Sequence, residues 1–468
     1  MPALLLISFL LSSLFRFGVK DQDFYSYYYI GKGVAQGKDM YKDFADNKGP
    51  VWYLAFSGLY FVFGNNLTEA LVISSTVFDL VAVVLLLELV TEWFGQSKWG
   101  VAGDLLTAIL VLIFYKSLSM GVLIGGLYSE NLANIFLFAA FLLFNRKRDW
   151  WSGIFFTSAI FTRLTFLFFG PMFFILRWSG KTKSLWLDKW MLGIFCGFGL
   201  VFLLLVYFGS LGDMINNMIK FNISFGSLYS FADKLAGLGK VVTLDIRLLL
   251  CSVMTILGWG LVLWRKRWGM KLMASALAGS SLIISFFCNG VFYTHQYLQF
   301  VLAGVGIIYF VIISGGLRAM FIPILVSLVL ATVVTFPFYV LTAKALAYPN
   351  NIRSVPALPE VTTHKYLQVI PFYPSLYFSY NRSSPNRYYD QFFLSKYSSL
   401  DPNMDIIRYE ALSTTTLKQT AFLVVRQKGV EDVMTKEYLQ NFKRKFNLRL
   451  VRTATFNGGE MDVYLTGI

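Results

Sequence analysis

Long apolar runs recur through the first three quarters of the chain, and they constrain its fold more than any other feature. Hydrophobic residues make up 56% of the 468 residues and charged residues only 14%, whereas soluble domains carry about 25% charged residues. A run of about 20 apolar residues is long enough to cross the hydrocarbon core of a bilayer as a helix. The sequence therefore predicts a mainly α, polytopic transmembrane bundle of about eleven spans in the cell (cytoplasmic) membrane.

Short polar turns separate the predicted spans. The spans cover residues 2–18, 67–94, 100–116, 130–145, two short spans within 150–177, 191–210, 243–264, 272–290, 299–314 and 321–345. The first run lacks a basic start and a small-x-small cleavage site, so we expect a retained span rather than a signal peptide. Residues 50–64 are too few for a span, and they predict a short helix lying in the membrane interface.

The positions of the basic residues predict how the chain is oriented. The net charge is +15, and Lys and Arg cluster at 146–148, 177–189, 265–271 and Arg318. Cytoplasmic loops are enriched in Lys and Arg, so these loops predict an inward N-terminus and an outward C-terminus. We interpret the excess as loop charge with some attraction to anionic membrane lipids, and we expect no nucleic-acid partner.

Hydropathy drops near residue 348 and divides the chain in two. Residues 1–347 form the predicted transmembrane part and residues 348–468 the C-terminal part. In the C-terminal part, strand-like runs appear at 421–425 and 461–465. They favour a small α/β domain outside the membrane, and the predicted orientation makes this domain extracytoplasmic.

The predicted first outer loop, residues 18–66, is unusually acidic for a segment between apolar runs. Its acids are Asp21, Asp23, Asp39, Asp43 and Asp46. Acids this close to a bilayer are costly unless they face water, a cation or a substrate. The aromatic residues at 24–29 suit the headgroup level. We therefore expect a polar loop on the membrane face, with a charged pocket beneath it.

Two short motifs extend this interpretation. Residues 41–50 read YKDFADNKGP and lead into the predicted interfacial helix, while residues 125–131 read GGLYSEN. With the acid pair that opens the first loop, they resemble the GT-C superfamily of membrane glycosyltransferases, in the bacterial branch related to protein O-mannosyltransferases and the lipid A aminoarabinose transferase. Arg163 in an apolar hairpin, the segment His295-Gln-Tyr297 and a small outer domain also fit that family.

The resemblance implies a glycosyltransferase that uses a polyprenyl-phosphate sugar as its donor. It would transfer the sugar, with inversion, to a hydroxyl of a lipid, glycan or protein acceptor on the extracytoplasmic face. The acceptor hydroxyl must lose a proton, and the resemblance implies Asp21 as the general base. Asp23 occupies the next place, where relatives often carry Glu, so the choice between Asp21 and Asp23 stays open. In the alternative, both acids end a helix and face water.

Such a transfer also needs positive charge or a metal ion at the departing phosphate. The resemblance implies that Lys48 contacts this phosphate, and the alternative is a lysine that reaches towards the lipid headgroups. Arg163 is costly in an apolar hairpin unless it binds the phosphate or pairs with an acid. Asp46 either holds Lys48 in place or caps the helix that follows.

The remaining candidate residues are further along the chain. Glu130 opens an apolar helix, where it either orients the acceptor or a divalent cation, or simply interacts with the helix dipole. If a metal is used, we expect Mg or Mn at Asp21 and Glu130, and we expect no other cofactor. His295 and Tyr297 are expected near the donor headgroup, unless His295 is structural. Asp79 belongs either to a buried ion pair or to a lipid groove.

A transporter or flippase for lipid-linked glycans is the alternative function. Such a protein would favour charges at mid-membrane and paired broken helices in two repeated halves. In this chain the acids gather on one predicted face and no internal repeat is visible. The sequence therefore favours the enzyme over the transporter.

Overall fold

The computed structural model describes most of the first 220 residues and parts of the C-terminal region. The described residues are 2–13, 22–44, 46–94, 108–109, 112, 127–179, 189–220, 222–223, 230–233, 236, 355–370, 375–382, 384–385, 414–426, 440, 443–444, 446–456 and 459–467.

Helices dominate the described residues up to 220. Their bounds are α1 Pro2–Ser13, α2 Gln22–Ala35, α3 Pro50–Phe63, α4 Leu67–Phe94, α5 Ser129–Asn145, α6 Asp149–Thr162, α7 Gly170–Ser179, α8 Lys189–Tyr207 and α9 Leu211–Met214. A 3₁₀ turn, Leu164–Phe169, lies between α6 and α7, and a π-helical turn, Ile215–Lys220, follows α9.

Helices α4 to α8 pack into an apolar bundle. Helix α5 packs against both α4 and α6, and α6 also packs against α8. Within the bundle, the rings of Phe141 and Phe173 stack with their centroids 4.2 Å apart. At the turn after α5, Arg146 forms ion pairs of 2.8 Å with Glu88 and 2.6 Å with Glu92, both on α4. These pairs tie the basic turn to α4.

A second core is aromatic and joins α2 to α3. Trp52 lies against Phe56 with ring centroids 4.6 Å apart, and Tyr27 meets Trp52 edge to face at 5.4 Å. Edge-to-face contacts of this kind add stabilisation beyond the apolar area they bury. The same buried cluster continues into the C-terminal domain.

The C-terminal domain contains a four-stranded sheet in the order β1-β2-β4-β3. Its elements are α10 Pro359–Thr363, β1 Tyr366–Ile370, α11 Ser375–Ser379, α12 Thr414–Lys418, β2 Thr420–Arg426, β3 Leu448–Phe456 and β4 Gly459–Thr466. Strands β1 and β2 are parallel, with Gln368 opposite Phe422. Strand β4 is antiparallel to both β2 and β3. The strand-like runs predicted at 421–425 and 461–465 lie within β2 and β4.

This domain contacts α2 directly. The rings of Tyr29 and Tyr377 approach to 5.0 Å. The backbone N–H of Ser384 donates to the Tyr29 hydroxyl at 2.7 Å, and the Lys32 ammonium donates to Asn381 Oδ1 at 3.2 Å. The domain therefore fixes the position of the helix that carries Asp23.

The prediction of about eleven membrane spans is wrong. Among the described residues, two helices are long and apolar enough to cross a membrane: Leu67–Leu89 of α4 and the whole of α8. The remaining described helices are shorter than 18 residues, and α5, at the span predicted for 130–145, has 17. Helix α1 has 12 residues, and α6 has 14 and stops where Arg163 takes an extended conformation. The spans predicted at 243–345 lie outside the described residues.

The two long helices support association with a membrane. Helix α8 has 19 residues, and only 22% of its apolar window is buried within the protein. Large apolar side chains on α8 are exposed, including Phe195, Leu200 and Leu203. An exposed apolar surface of this length matches the environment that lipid tails provide.

The acidic stretch is also more ordered than the predicted polar loop. Residues 22–35 form the helix α2. Its aromatic side chains were predicted at the headgroup level, but Phe24, Tyr25, Tyr27, Tyr28 and Tyr29 are all buried. They are buried because α2 packs against α3 on one side and contacts the C-terminal domain on another.

Candidate functional site

Residues from four separate segments form a charged cluster beside the aromatic core. We define the charged cluster as Asp23 on α2, Asp46 and Lys48 in the loop before α3, Glu130 on α5, and Arg163 after α6. Each of the other four charges acts electrostatically on Lys48. The sequence predicted all five as site residues, and the structure brings them together.

The pairing of α5 with α6 places Glu130 beside Arg163. Helix α5 has 17 residues and α6 has 14, so they rise about 25 Å and 21 Å along their axes. They are joined by a tight turn at 146–148, and α6 therefore returns alongside α5. An Arg163 nitrogen lies 3.2 Å from a Glu130 carboxylate oxygen, and Glu130 is only 1% exposed. Buried charges are tolerated when they are paired in this way.

Gly49 brings the Lys48 loop against the end of α6. The Gly49 N–H donates to the carbonyl of Thr162 at 3.3 Å. A Cβ at position 49 would lie 1.7 Å from the carbonyl oxygen of Phe161, so only glycine fits this approach. Lys48 and Arg163, which each adjoin this contact, are held close together as a result.

Two tyrosines fix the backbone of the same loop. The Tyr41 hydroxyl donates to the carbonyl of Lys48 at 2.7 Å, and the Lys48 N–H donates to the Tyr53 hydroxyl at 3.1 Å. The Tyr53 hydroxyl also hydrogen-bonds to Asp46, whose carboxylate accepts the N–H of Asn47 at 2.5 Å. The loop is therefore held in one conformation before any ligand arrives.

Burial changes the proton affinities of this loop. It lowers the pKa of the Lys48 ammonium, and the Arg163 guanidinium lowers it further, while Asp46, Glu130 and Asp23 act in the opposite direction. Burial also raises the pKa of the Asp46 carboxyl, against the opposing effect of Lys48. Perturbed groups of opposite sign that converge in this way are typical of functional sites.

Tyr27 lies among these charges, one helical turn after Asp23 on the same face of α2. The Lys48 ammonium is 5.8 Å from the centroid of its ring. Burial raises the pKa of the Tyr27 phenol, and Asp23, Asp46 and Glu130 raise it further. The phenol therefore stays protonated and can donate a hydrogen bond within the site.

A second polar layer lies behind Glu130. The Asn131 side chain donates to Asp79 Oδ1 at 2.9 Å, and it accepts the N–H of Tyr128 at 3.2 Å. Asn131 therefore caps the start of α5 and links it to α4. The Ser129 hydroxyl donates to Glu130 at 3.1 Å. The sequence assigned Asp79 either to a buried ion pair or to a lipid groove. In the structure it is hydrogen-bonded to Asn131, which follows Glu130 of the charged cluster.

The other predicted site residues lie outside the described part of the chain: Asp21, His295 and Tyr297. Sequence reasoning missed Tyr27, Asn47, Asn131 and Asn222, which the structure places in or beside the charged cluster. The helical spacing between Asp23 and Tyr27 could have indicated the first. Nothing in the sequence connects Asn222 to the loop at 46–49.

The carboxylates of Glu130 and Asp46 do not suit a divalent cation. Mg²⁺ and Mn²⁺ prefer several oxygen ligands with little competing positive charge. Glu130 already holds Arg163 and the Ser129 hydroxyl, and Asp46 adjoins Lys48. Within the described residues, no group of three metal-ligating side chains occurs. Asp21, the other predicted ligand, lies outside that part.

Comparisons with known proteins leave the family open. No protein-family model matches the chain, and no curated protein matches it significantly.

Proposed function

We propose that this protein is a membrane glycosyltransferase of the GT-C type, which transfers a sugar from a polyprenyl-phosphate donor to an acceptor hydroxyl. The observation that supports this most is the close association of Lys48 and Arg163 with the carboxylates Asp23 and Glu130. Two cations suit a departing lipid phosphate, and a nearby carboxylate suits an acceptor proton.

Lys48 is the proposed contact for the donor phosphate. Its ammonium is partly buried and comes from a loop that Gly49, Tyr41 and Tyr53 hold rigid. A preorganised cation stabilises developing charge without a reorganisation cost at the moment of reaction. Arg163 pairs with Glu130 and adds to the positive field at the same place. As the bond between the anomeric carbon and the phosphate oxygen breaks, its electron pair leaves with the phosphate towards Lys48.

Asp23 is the proposed general base among the described residues. It lies in the first turn of α2, and its charge acts on both Tyr27 and Lys48. In the proposed step the acceptor hydroxyl gives its proton to a carboxylate while its oxygen attacks the anomeric carbon. Asp21, which the family resemblance implies for this role, is tested beside Asp23.

We propose a multi-pass membrane protein whose site faces the extracytoplasmic side. Helix α5 starts at the charged cluster and ends about 25 Å away, just before the basic turn Arg146, Lys147 and Arg148. By the positive-inside rule this basic turn belongs on the cytoplasmic side, so the opposite end of α5 faces outwards. A polyprenyl-phosphate sugar displayed on the outer leaflet would meet the site there.

The test is transfer in vitro from a panel of undecaprenyl-phosphate sugars by the full-length protein in detergent. We expect Asp23→Asn to lower turnover by about 10²–10⁴-fold while the protein still binds undecaprenyl phosphate. Lys48→Ala should instead weaken binding of undecaprenyl phosphate by about tenfold or more. Asp43→Asn and Lys42→Ala are matched controls, because both residues lie in the same loop and are exposed.

The outcomes separate the alternatives. Loss of turnover in Asp21→Asn with full turnover in Asp23→Asn would assign the base to Asp21. Full turnover in both variants and in the double variant would remove this acid pair as the source of the base. Absence of transfer by the wild type, with movement of a lipid-linked glycan across vesicles, would establish the transporter instead.

A further inference from the structure

The segment after α8 folds back over the Lys48 loop. The chain turns at Gly209, whose φ of 64° suits glycine, and continues through α9 into the π-helical turn at 215–220. Single π-helical turns occur frequently at functional sites. From this turn, Asn217 donates to the carbonyl of Tyr41 at 3.4 Å. This first attachment of the segment is to the backbone of Tyr41, and it does not involve the Lys48 ammonium.

Asn222 makes a second and more specific attachment. Its Nδ2 donates to the carbonyl of Met218 at 2.5 Å and to the carbonyl of Asn47 at 3.2 Å. Its Oδ1 accepts Nδ2 of Asn47 at 3.2 Å. One side of the Asn222 carboxamide faces two backbone carbonyls, which can only accept hydrogen bonds, so its NH₂ group must lie on that side. Its oxygen then faces the side chain of Asn47.

That orientation sets the carboxamide of Asn47 in turn. Since Asn47 Nδ2 donates to Asn222, Asn47 Oδ1 is left to face the loop, and it accepts the Lys48 ammonium at 2.9 Å. If the Asn47 amide were reversed, its NH₂ group would meet the ammonium and repel it. Hydrogen bonds to charged groups are stronger than neutral ones and more sensitive to orientation.

We propose that Asn222 is a positioning residue that acts through Asn47 to orient the Lys48 ammonium for the lipid phosphate of the donor. The role rests on the proposed function of Lys48, but the geometry of the three residues does not. The hydrogen bonds of Asn222 described above go to Asn47 and Met218, so its effect on Lys48 passes through Asn47. The segment after α8 thereby becomes part of the donor site, although the sequence shows no link between them.

The proposal predicts how Lys48 titrates. The groups whose charges act on Lys48 are Asp23, Asp46, Glu130 and Arg163, and none of them is changed by substitution of Asn222. Loss of the Asn47 oxygen removes a stabilising contact of the protonated amine. The pKa of Lys48, which burial already lowers, should then fall further, so that the neutral amine appears at a lower pH.

The experiment measures reductive methylation of Lys48 against pH by peptide mass spectrometry, with the exposed Lys42 as internal reference. In Asn222→Leu and in Asn47→Leu we expect the labelling profile of Lys48 to move by about one pH unit to lower pH. The double variant should move no further, because both changes break the same chain of contacts. Asn217→Leu, which removes the other attachment of the same segment, should leave the profile of Lys48 unchanged.

Binding of undecaprenyl phosphate to the same variants at pH 8 gives the second readout. We expect about tenfold weaker binding in Asn222→Leu and no change in Asn217→Leu. Equal shifts in Asn222→Leu and Asn217→Leu would show general loosening of the segment and overturn the proposal. Identical labelling profiles of Lys48 in the wild type and in all variants would also overturn it. So would an absence of Lys48 labelling in every protein, since a lysine that a lipid phosphate can reach is also accessible to a small reagent. If the wild type binds no undecaprenyl phosphate, the proposed function fails, while the labelling profiles still decide the role of Asn222.

Discussion

The absence of a side chain at Gly49 allows Lys48 and Arg163, the two cations of the charged cluster, to lie close together. Gly49 lies against the backbone of Phe161 and Thr162, so the residues on either side of that contact, Lys48 and Arg163, are neighbours. Any Cβ at this position would overlap a backbone carbonyl, and backbone atoms cannot rotate away as a side chain would. The assembly of the charged cluster therefore depends on one glycine that carries no charge itself.

Gly49→Ala should lower the free energy of unfolding by about 1–3 kcal/mol, because the loop or α6 must shift to admit the methyl group. Transfer and undecaprenyl-phosphate binding should fall with it. Gly58→Ala is the matched control, because it lies inside α3 and its added Cβ would meet no other side chain or segment within 4 Å in the described part of the chain. Since alanine favours helix over glycine, Gly58→Ala should be neutral or raise stability by up to about 1 kcal/mol. Thermal unfolding followed by tryptophan fluorescence measures both, and equal stability of the two variants would contradict the close contact.

The antiparallel pair of α5 and α6 is the element that joins the site to the apolar bundle. One end of the pair holds the ion pair of Glu130 and Arg163, and the other end holds Arg146 with Glu88 and Glu92. The two ends differ in burial, since Glu130 is 1% exposed and the Arg146 side chain is 50% exposed. Loss of the ion pair at the buried Glu130 end should therefore lower the free energy of unfolding more than loss of the pair at the exposed Arg146 end.

Glu130→Gln should destabilise the protein by about 3 kcal/mol, because it leaves the Arg163 guanidinium without its carboxylate in a mostly buried place. The double variant Glu130→Gln with Arg163→Met should recover most of that loss, since no buried charge then remains unpaired. Arg146→Ala removes a solvent-exposed pair and should cost less than about 1 kcal/mol. Chemical denaturation in detergent compares the three variants. A double variant less stable than Glu130→Gln would contradict this, since the loss would then not come from the unpaired charge of Arg163.

At the scale of the whole molecule, the C-terminal domain completes the surroundings of α2. One face of α2 directs Asp23 and Tyr27 at the charged cluster, and another face carries aromatic rings into the domain. Phe378 of α11 is central to this contact, with ring centroids 5.8 Å from Tyr28 and 6.3 Å from Tyr25. A change in the domain can therefore reach the proposed base through the position of one helix.

Phe378→Ala should lower the free energy of unfolding by about 2 kcal/mol, less than for a fully buried ring because Phe378 is partly exposed. It should also reduce transfer more than it reduces undecaprenyl-phosphate binding, since α2 carries Asp23 while Lys48 is held by other contacts. Leu450→Ala in the same domain is the control, because Leu450 on β3 is 53% exposed. Its stability should stay within about 0.5 kcal/mol of wild type. Equal effects of the two substitutions on transfer would argue against a specific contact between the domain and α2.

The sequence by itself determined the features that depend on neighbouring residues. It located α3, α4 and α8 within a few residues, the interruption at Arg163, and the strands β2 and β4. These follow from the spacing of apolar residues and from turn-forming residues, which act over short stretches of chain. The family resemblance also selected the five residues of the charged cluster, although their catalytic roles remain predictions.

Only the tertiary structure decided which distant residues meet. The sequence overestimated the number of spans because hydropathy measures how apolar a run is, and not whether its helix is long enough to cross a membrane. It placed the aromatic side chains of α2 at the headgroups, whereas packing against α3 and the C-terminal domain buries them. The contacts of Gly49 with Phe161 and of Asn222 with Asn47 join segments far apart in the chain. Such contacts depend on how whole helices pack, and no local pattern of residues records that.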